Sequence, residues 1–466
     1  MRFISSRLIV WFFSTIVVLF FQSLTLAQSD QAGWTVDQIQ QILKTRIETD
    51  LKGVGMVVGI IDANGKRVVS WGTPNKADPT LSVYGDTVFE IGSVSKVFTS
   101  LLLAEMISRD ELKLSDKVAT FLPKSVKLPT RKDQEITLLD LATHTSSLPR
   151  MPDNFTPADP DNPYADYTVE QLYAFLSKCK LTKDIGTKYE YSNLGTGLLG
   201  HVLGLRSNAD YETLVKTKIC KTLGMTSTSI TLTEEMKNRL AKGYDKSLDE
   251  TKNWDIAVLA GAGAIRSSIN DMLLFLEANM GLTETALSLP MSEQHKEQRK
   301  AGPKMSIGLG WHILATRNGQ ILWHNGETGG YHSFIGFDKK RGVGVVLLSN
   351  TAIDCDDIGF HLVDSQLPLK KQTKTRVAIK VDPAIYDGYV GEYEIIPQFV
   401  MTVTKEQDKL MLQATGQPKF EIFPESETKF FLKVVDAQVT FVKDEKGSVA
   451  KLILHQNGAN QEAKKR

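Results

Sequence analysis

The chain has 466 residues, with 55 Lys and Arg balanced against 54 Asp and Glu for a net charge of +1. Such a length buries a large core and exceeds the usual size of one domain, while the even charge argues against a nucleic-acid surface and leaves small substrates open. The three cysteines, Cys179, Cys220 and Cys355, are too few and too scattered for a disulfide framework and allow one bond at most. Neither they nor the eight histidines fall into H-E-x-x-H or C-x-x-C spacing, so no metal is expected.

At the N-terminus Arg2 and Arg7 precede an uncharged run from Leu8 to Phe21, and small or polar residues follow through Ala27. This pattern predicts a signal peptide over residues 1–27 and a secreted or periplasmic protein. The charge-free span from Leu8 to Ser29 is also long enough for an uncleaved membrane anchor, the one way in which a membrane would be a partner. Val36, Ile39, Ile42, Leu43 and Ile47 then recur at helical spacing, predicting a helix over 36–49. Val54–Ile61 and Arg67–Trp71 flank Asn64-Gly65 and predict a hairpin.

Next comes Gly92-Ser93-Val94-Ser95-Lys96, at the head of a segment that is apolar on nearly every face up to Ile107. On a helix, residues three apart share a face, so Ser93 and Lys96 can touch. Burial and the positive end of the helix dipole both disfavour an ammonium there, leaving a neutral amine able to accept a serine proton. The spacing alone decides nothing, because S-x-x-K also begins at Ser177, Ser426 and Ser448. Only Ser93 heads a segment that reads as a buried helix.

Tyr191-Ser192-Asn193 reads as a loop entering a helix. A tyrosine there can shuttle a proton if a nearby cation lowers its pKa, and the Asn193 amide can hold a substrate carbonyl or the lysine. Leu309–Ala315, Gln320–Asn325, Ser333–Phe337 and Val343–Ser349 predict an antiparallel meander. At the end of its second strand stands His324-Asn325-Gly326, where a glycine admits close approach of a ligand. The N–H of Glu327 just beyond can pair with that of Ser93 as an oxyanion hole.

Together these segments predict an α+β fold, with one antiparallel sheet assembled from both ends of the domain, flanked by helices and accompanied by a helical region. The Lys-rich stretch 368–383 reads as a linker between a domain at 28–367 and a smaller one at 384–466. In that tail, strand candidates run at 389–395, 401–404, 410–413, 420–423, 430–435, 439–442 and 452–455 without helical interruption, predicting a small antiparallel β-barrel or sandwich.

Taken in order, Ser93-Val94-Ser95-Lys96, Tyr191-Ser192-Asn193 and His324-Asn325-Gly326 resemble the three active-site motifs of class C β-lactamases and related penicillin-binding proteins. Ile136–Pro149, Leu223–Thr228 and Ala260–Ser268 look familiar from the same group, and the tail from about Asp387 resembles the lipocalin-like barrel of many relatives. The resemblance implies a serine hydrolase in which Ser93, Lys96 and Tyr191 are catalytic, Asn193, His324, Asn325 and Gly326 bind substrate, and the N–H groups of Ser93 and Glu327 form the oxyanion hole. His144 is expected to be structural. The substrate would be a small molecule or peptide, such as a cell-wall-derived D-alanyl amide or a β-lactam, and no cofactor is needed. The chain departs from class C enzymes at His324, where they carry a lysine that helps bind the substrate carboxylate. Histidine is a weaker, pH-dependent cation, and this form is familiar among related D-amino-acid peptidases and esterases. An esterase, and a cell-surface binding or sensing protein that keeps the fold, stay open as alternatives.

Overall fold

The computed structural model describes residues 33–317, 319–370, 376–435, 437–456 and 459–466. The signal-peptide or anchor segment therefore lies outside the described residues, as does the middle of the stretch read as a linker. Among the described residues no helix is long and apolar enough to cross a membrane. Residues 33–246 and 250–370 form one compact unit; 247–249 and 376–466 form a second.

The first unit opens with helix α1 (Val36–Lys44), started by a capping box in which Thr35 and Gln38 satisfy each other's backbone N–H. Its buried residues, Ile39 and Leu43, are one helical turn apart. Strands β1 (Gly55–Asp62) and β2 (Gly65–Gly72) form the expected hairpin, and Gly65 adopts a φ of 86° at the turn, the left-handed region that glycine enters without strain. Three longer helices follow: α2 (Ser95–Ser108), α3 (Asn193–Ser207) and α4 (Ile269–Met280). The chain then returns as β3 (Arg299–Gly302), β4 (Met305–Ile307), β5 (His312–Ala315), β6 (Gln320–Glu327), β7 (His332–Asp338) and β8 (Val343–Ser349), and closes with α5 (Asp356–Val363).

All eight strands join one antiparallel sheet in the order β2-β1-β8-β7-β6-β5-β4-β3, so β1 pairs directly with β8 from the far end of the unit. The central strands are buried on both faces, and the two-residue period decides which side each residue serves. Val57, Ile335 and Val346 face the large core built with α2, α3 and α4. Val58, Phe334 and Val345 face a smaller core closed by α1 and α5. In that smaller layer buried Arg46 donates to both carboxylate oxygens of Asp357 at 3.1 and 2.7 Å.

The second unit is a closed antiparallel barrel of eight strands: β9 (Gly391–Ile396), β10 (Phe399–Glu406), β11 (Lys409–Ala414), β12 (Lys419–Pro424), β13 (Lys429–Leu432), β14 (Ala437–Lys443), β15 (Val449–Gln456) and β16 (Ala459–Lys465). Pairing of β16 with β9 closes it, which removes exposed strand edges. Aromatic residues fill the interior, with Tyr389 stacked on Phe441 at 4.3 Å and Phe430 edge-on to both. All three cysteines are free thiols.

Candidate active site

The nucleophile turn is a single 3₁₀ turn, Gly92–Val94, that precedes α2, so Ser93 sits just before the helix and not inside it. The contact expected of residues three apart survives: Lys96 Nζ lies 2.9 Å from Ser93 Oγ. Lys96 is fully buried and donates to the Ala262 carbonyl at 2.6 Å, and no carboxylate among the described residues pairs with it. Burial, aided by the charge of Arg150, pushes its pKa well below the ordinary lysine value. Of the four lysines in S-x-x-K spacing only this one is buried; Lys180 is exposed, and Lys429 and Lys451 are half-buried.

Tyr191 is brought to this pair by a loop that docks on the segment 144–150. Glu190 N donates to the His144 carbonyl at 2.8 Å, Ser192 N donates to His144 Nδ1 at 3.2 Å, and Asn193 N and Leu194 N donate to the Arg150 carbonyl at 3.0 and 3.1 Å. The Ser192 hydroxyl caps α3 by accepting from Gly195 N. Tyr191 hydrogen-bonds Ser93, and its ring centroid lies 4.9 Å from Lys96 Nζ. Its pKa is raised, contrary to the lowering expected of a tyrosine beside a cation, because burial outweighs the Ser93 hydrogen bond and the Arg150 charge. The phenol therefore keeps its proton. Asn193 is half-buried at the start of α3, its amide nitrogen 3.8 Å from Met151 Sδ and its amide oxygen without a protein partner. The His144 ring lies beside this group, its centroid 4.6 Å from that of Tyr191.

The third segment comes from β6, and here the strand period separates neighbours. His324 faces the Ser93 side, 6.2 Å from Tyr191 between ring centroids. Asn325 faces the other layer, where its amide donates to Asp356 Oδ2 at 2.7 Å; its expected side-chain contact with substrate is thus replaced by a structural bond, since adjacent strand residues point to opposite faces. His324 is also not the weak cation expected. It is fully buried, its Nδ1–H is spent on the Asn325 carbonyl at 2.6 Å, and burial, followed by nearby His312 and Lys96, holds its pKa well below the ordinary value. Its Nε2 has no protein partner.

Gly326 is required by close approach. A Cβ there would meet the Ile91 carbonyl at 2.0 Å and Ser93 N at 2.9 Å, so the backbone of β6 lies directly on the nucleophile turn. A Cβ on Gly92 would in turn meet Glu327 N at 2.9 Å. The N–H groups of Ser93 and Glu327 are thereby brought side by side. Pairing of β6 with β5 ends at Trp323, leaving the following residues without a strand partner on that edge. The Glu327 side chain points outward and pairs with Lys246 at 2.9 Å.

Three features escaped the sequence reading. Arg150 lies with its guanidinium carbon 5.0 Å from the Tyr191 ring centroid. His312, 5.0 Å from His324, bonds the Tyr189 hydroxyl at 2.8 Å, and burial, then the Lys96 charge, pushes its pKa down to about 4. Glu90 and Arg266, buried and 3.2 Å apart, anchor Asn253 and Trp254 beside the turn. Arg150 and His312 belong to no motif, and although Arg266 lies in the familiar stretch Ala260–Ser268, its pairing with Glu90 is legible only once distant segments meet. On the opposite layer, His332 Nε2 pairs with Asp356 at 2.8 Å and Asp354 pairs with Lys370 at 2.9 Å.

Comparison with known proteins agrees with this geometry. The Beta-lactamase family matches residues 40–364, and a domain of unknown function (DUF3471) matches 375–465. A beta-lactamase of Pseudomonas fluorescens is 27% identical over 348 residues, covering 67% of this chain and 93% of its own. The D-alanyl-D-alanine-carboxypeptidase/endopeptidase AmpH of Escherichia coli K12 is 27% identical over 311 residues, 63% of this chain and 78% of its own. The crystal structure of a class C beta lactamase from Rhodobacter sphaeroides superposes with a TM-score of 0.62 at 24% identity, over 71% of this chain and 99% of its own, a likeness of fold. With most of its first unit matched, the chain belongs to the Beta-lactamase family of serine hydrolases.

Proposed function

We propose that the protein is an exported hydrolase that opens amide bonds of D-alanyl-type peptides or β-lactams through an acyl-enzyme on Ser93. The observation that carries this reading is the buried, carboxylate-free Lys96 with Nζ 2.9 Å from Ser93 Oγ. A lysine held neutral has a lone pair for the serine proton, and that is the base a serine nucleophile needs.

The steps balance as acyl transfer. Ser93 Oγ bonds to the substrate carbonyl carbon while its proton passes to Lys96. The carbonyl oxygen becomes an oxyanion facing the N–H groups of Ser93 and Glu327; one such donor is worth about 2.7–4 kcal/mol of barrier. Tyr191, protonated because its pKa is raised, gives its proton to the leaving nitrogen as the C–N bond breaks, and recovers one from Lys96. Water then adds to the ester by the same route and releases Ser93. Gly326 holds β6 against the turn, and the Asn193 amide is available to the substrate carbonyl. Export rests on the basic, apolar and small-residue pattern of the first 27 residues. The lipocalin-like character of the tail rests on its closed eight-stranded form, with an interior filled by its own aromatic residues.

Turnover of a penicillin, a chromogenic cephalosporin, a D-alanyl-D-alanine peptide and a p-nitrophenyl ester by the wild type and Ser93→Ala tests the reading. Hydrolysis of an amide or lactam that disappears in the variant supports it. Turnover of the ester alone would transfer the protein to the esterases, and hydrolysis surviving in the variant would remove Ser93 as nucleophile.

A further inference from the structure

We infer that Arg150 is the specificity-determining residue that recognises a carboxylate on the substrate, in place of the cation that the β6 position does not supply. Three observations converge. First, His324 is fully buried, with Nδ1–H committed to the Asn325 carbonyl at 2.6 Å, and burial disfavours its charged form, so it is a poor partner for a substrate anion. Second, Arg150 is exposed, yet its guanidinium carbon stands 5.0 Å from the ring centroid of Tyr191, the residue that hydrogen-bonds Ser93. Third, no carboxylate pairs with Arg150 among the described residues: Glu190, the acidic neighbour of Tyr191, pairs with Lys183, and Glu327 pairs with Lys246.

The surroundings sharpen the point. A guanidinium stacked on a phenol gains only modestly from the ring, whereas its planar fork of N–H donors matches a carboxylate in bidentate fashion. The backbone of Arg150 is fixed, because its carbonyl accepts both Asn193 N and Leu194 N at the start of α3. The charged head is thus free to turn while its stem is anchored beside the Asn193 amide. A rigid base, an unpaired fork and a position above the catalytic tyrosine are what recognition of an anionic substrate requires. The carboxylate can belong to the C-terminal leaving residue or to a side chain on the acyl portion.

This inference rests on the Ser93 reading, and binding to the Ser93→Ala protein separates the two. Calorimetric titration of that full-length variant would use two matched peptide pairs: an N-acetylated D-alanyl-D-alanine peptide as its C-terminal acid or amide, and the amide peptide with a glutamyl or glutaminyl residue on the acyl side. Arg150 predicts that one acid binds about tenfold tighter than its neutral partner, the worth of one charge-assisted bidentate contact. Adding Arg150→Gln should bring that ratio close to one, and Arg150→Lys should restore part of it. The responding pair identifies which carboxylate is read. No acid preference in either pair, or a preference that persists in the Arg150→Gln background, overturns the inference. Failure of Ser93 to become acylated, with the acid preference intact, overturns only the catalytic reading.

Discussion

Two buried basic residues, Arg46 and Lys96, lie on opposite sides of the sheet and are treated in opposite ways. Under α1 and α5, Arg46 is matched to Asp357 with both oxygens used, and Asn325 is matched to Asp356. On the other side Lys96 is buried with only neutral partners, and His324 Nε2 and His312 Nδ1 have no protein partner. The same sheet, read on alternate residues, thus has a buried cation matched by a carboxylate on one face and a buried lysine with only neutral partners on the other. Unpaired buried groups lower stability and shift pKa values, and such shifts cluster where proton transfer is performed.

The largest effect that breaks this contrast is on Lys96. Lys96→Met should slow acylation by about 10²–10⁴-fold, the usual worth of a general base, measured by stopped-flow with a chromogenic substrate. It should also change the pH dependence of stability. Because the folded-state pKa of Lys96 is depressed, the unfolded chain binds a proton that the folded chain does not, at every pH between that value and the ordinary lysine value of 10.5. Wild-type stability therefore gains a component that rises with pH across this window, and the variant should lack it in denaturant titrations at several pH values.

On the structural face the expected loss is of stability alone. Arg46→Met leaves Asp357 buried without its counter-ion and should cost about 3–5 kcal/mol, with kcat/KM of the folded protein unchanged; replacing both members by apolar residues should recover most of it. Gly326→Ala joins the faces, since its Cβ would strike the Ile91 carbonyl and Ser93 N. It should reduce kcat by about 10²–10³-fold, as loss of an oxyanion donor does, with little change in substrate binding. Smallest is Asn325→Ala, expected to cost about 1 kcal/mol for the lost Asp356 bond while leaving kcat/KM within about twofold.

Much of this was legible from residue pattern. Strand-like runs bounded by turn residues marked β1, β2 and β5 to β8, and the apolar segment after Ser93 marked α2, because both signals depend on burial along a short stretch. Strands β3 and β4 were missed: Arg299–Gly302 and Met305–Ile307 are short and sit at the sheet edge with little apolar alternation. The eighth barrel strand, Ala459–Lys465, was missed because only Ala463 in it is buried and pairing, not burial, holds it. In the site, Ser93, Lys96 and Tyr191 announced themselves by motif. Asn325 was grouped with His324 although strand alternation alone sends the two to opposite faces. Arg150 and His312 carry no local signal, since their partners come from segments dozens of residues away.

The central claim is that Ser93 becomes acylated with Lys96 as its base. Intact-mass spectrometry of the protein after brief exposure to a penicillin, followed by peptide mapping, tests it directly. The expected result is an adduct of the full mass of the penicillin on the peptide containing Ser93, absent in Ser93→Ala and strongly slowed in Lys96→Met. An adduct on another residue, or one that forms equally fast in both variants, would contradict it.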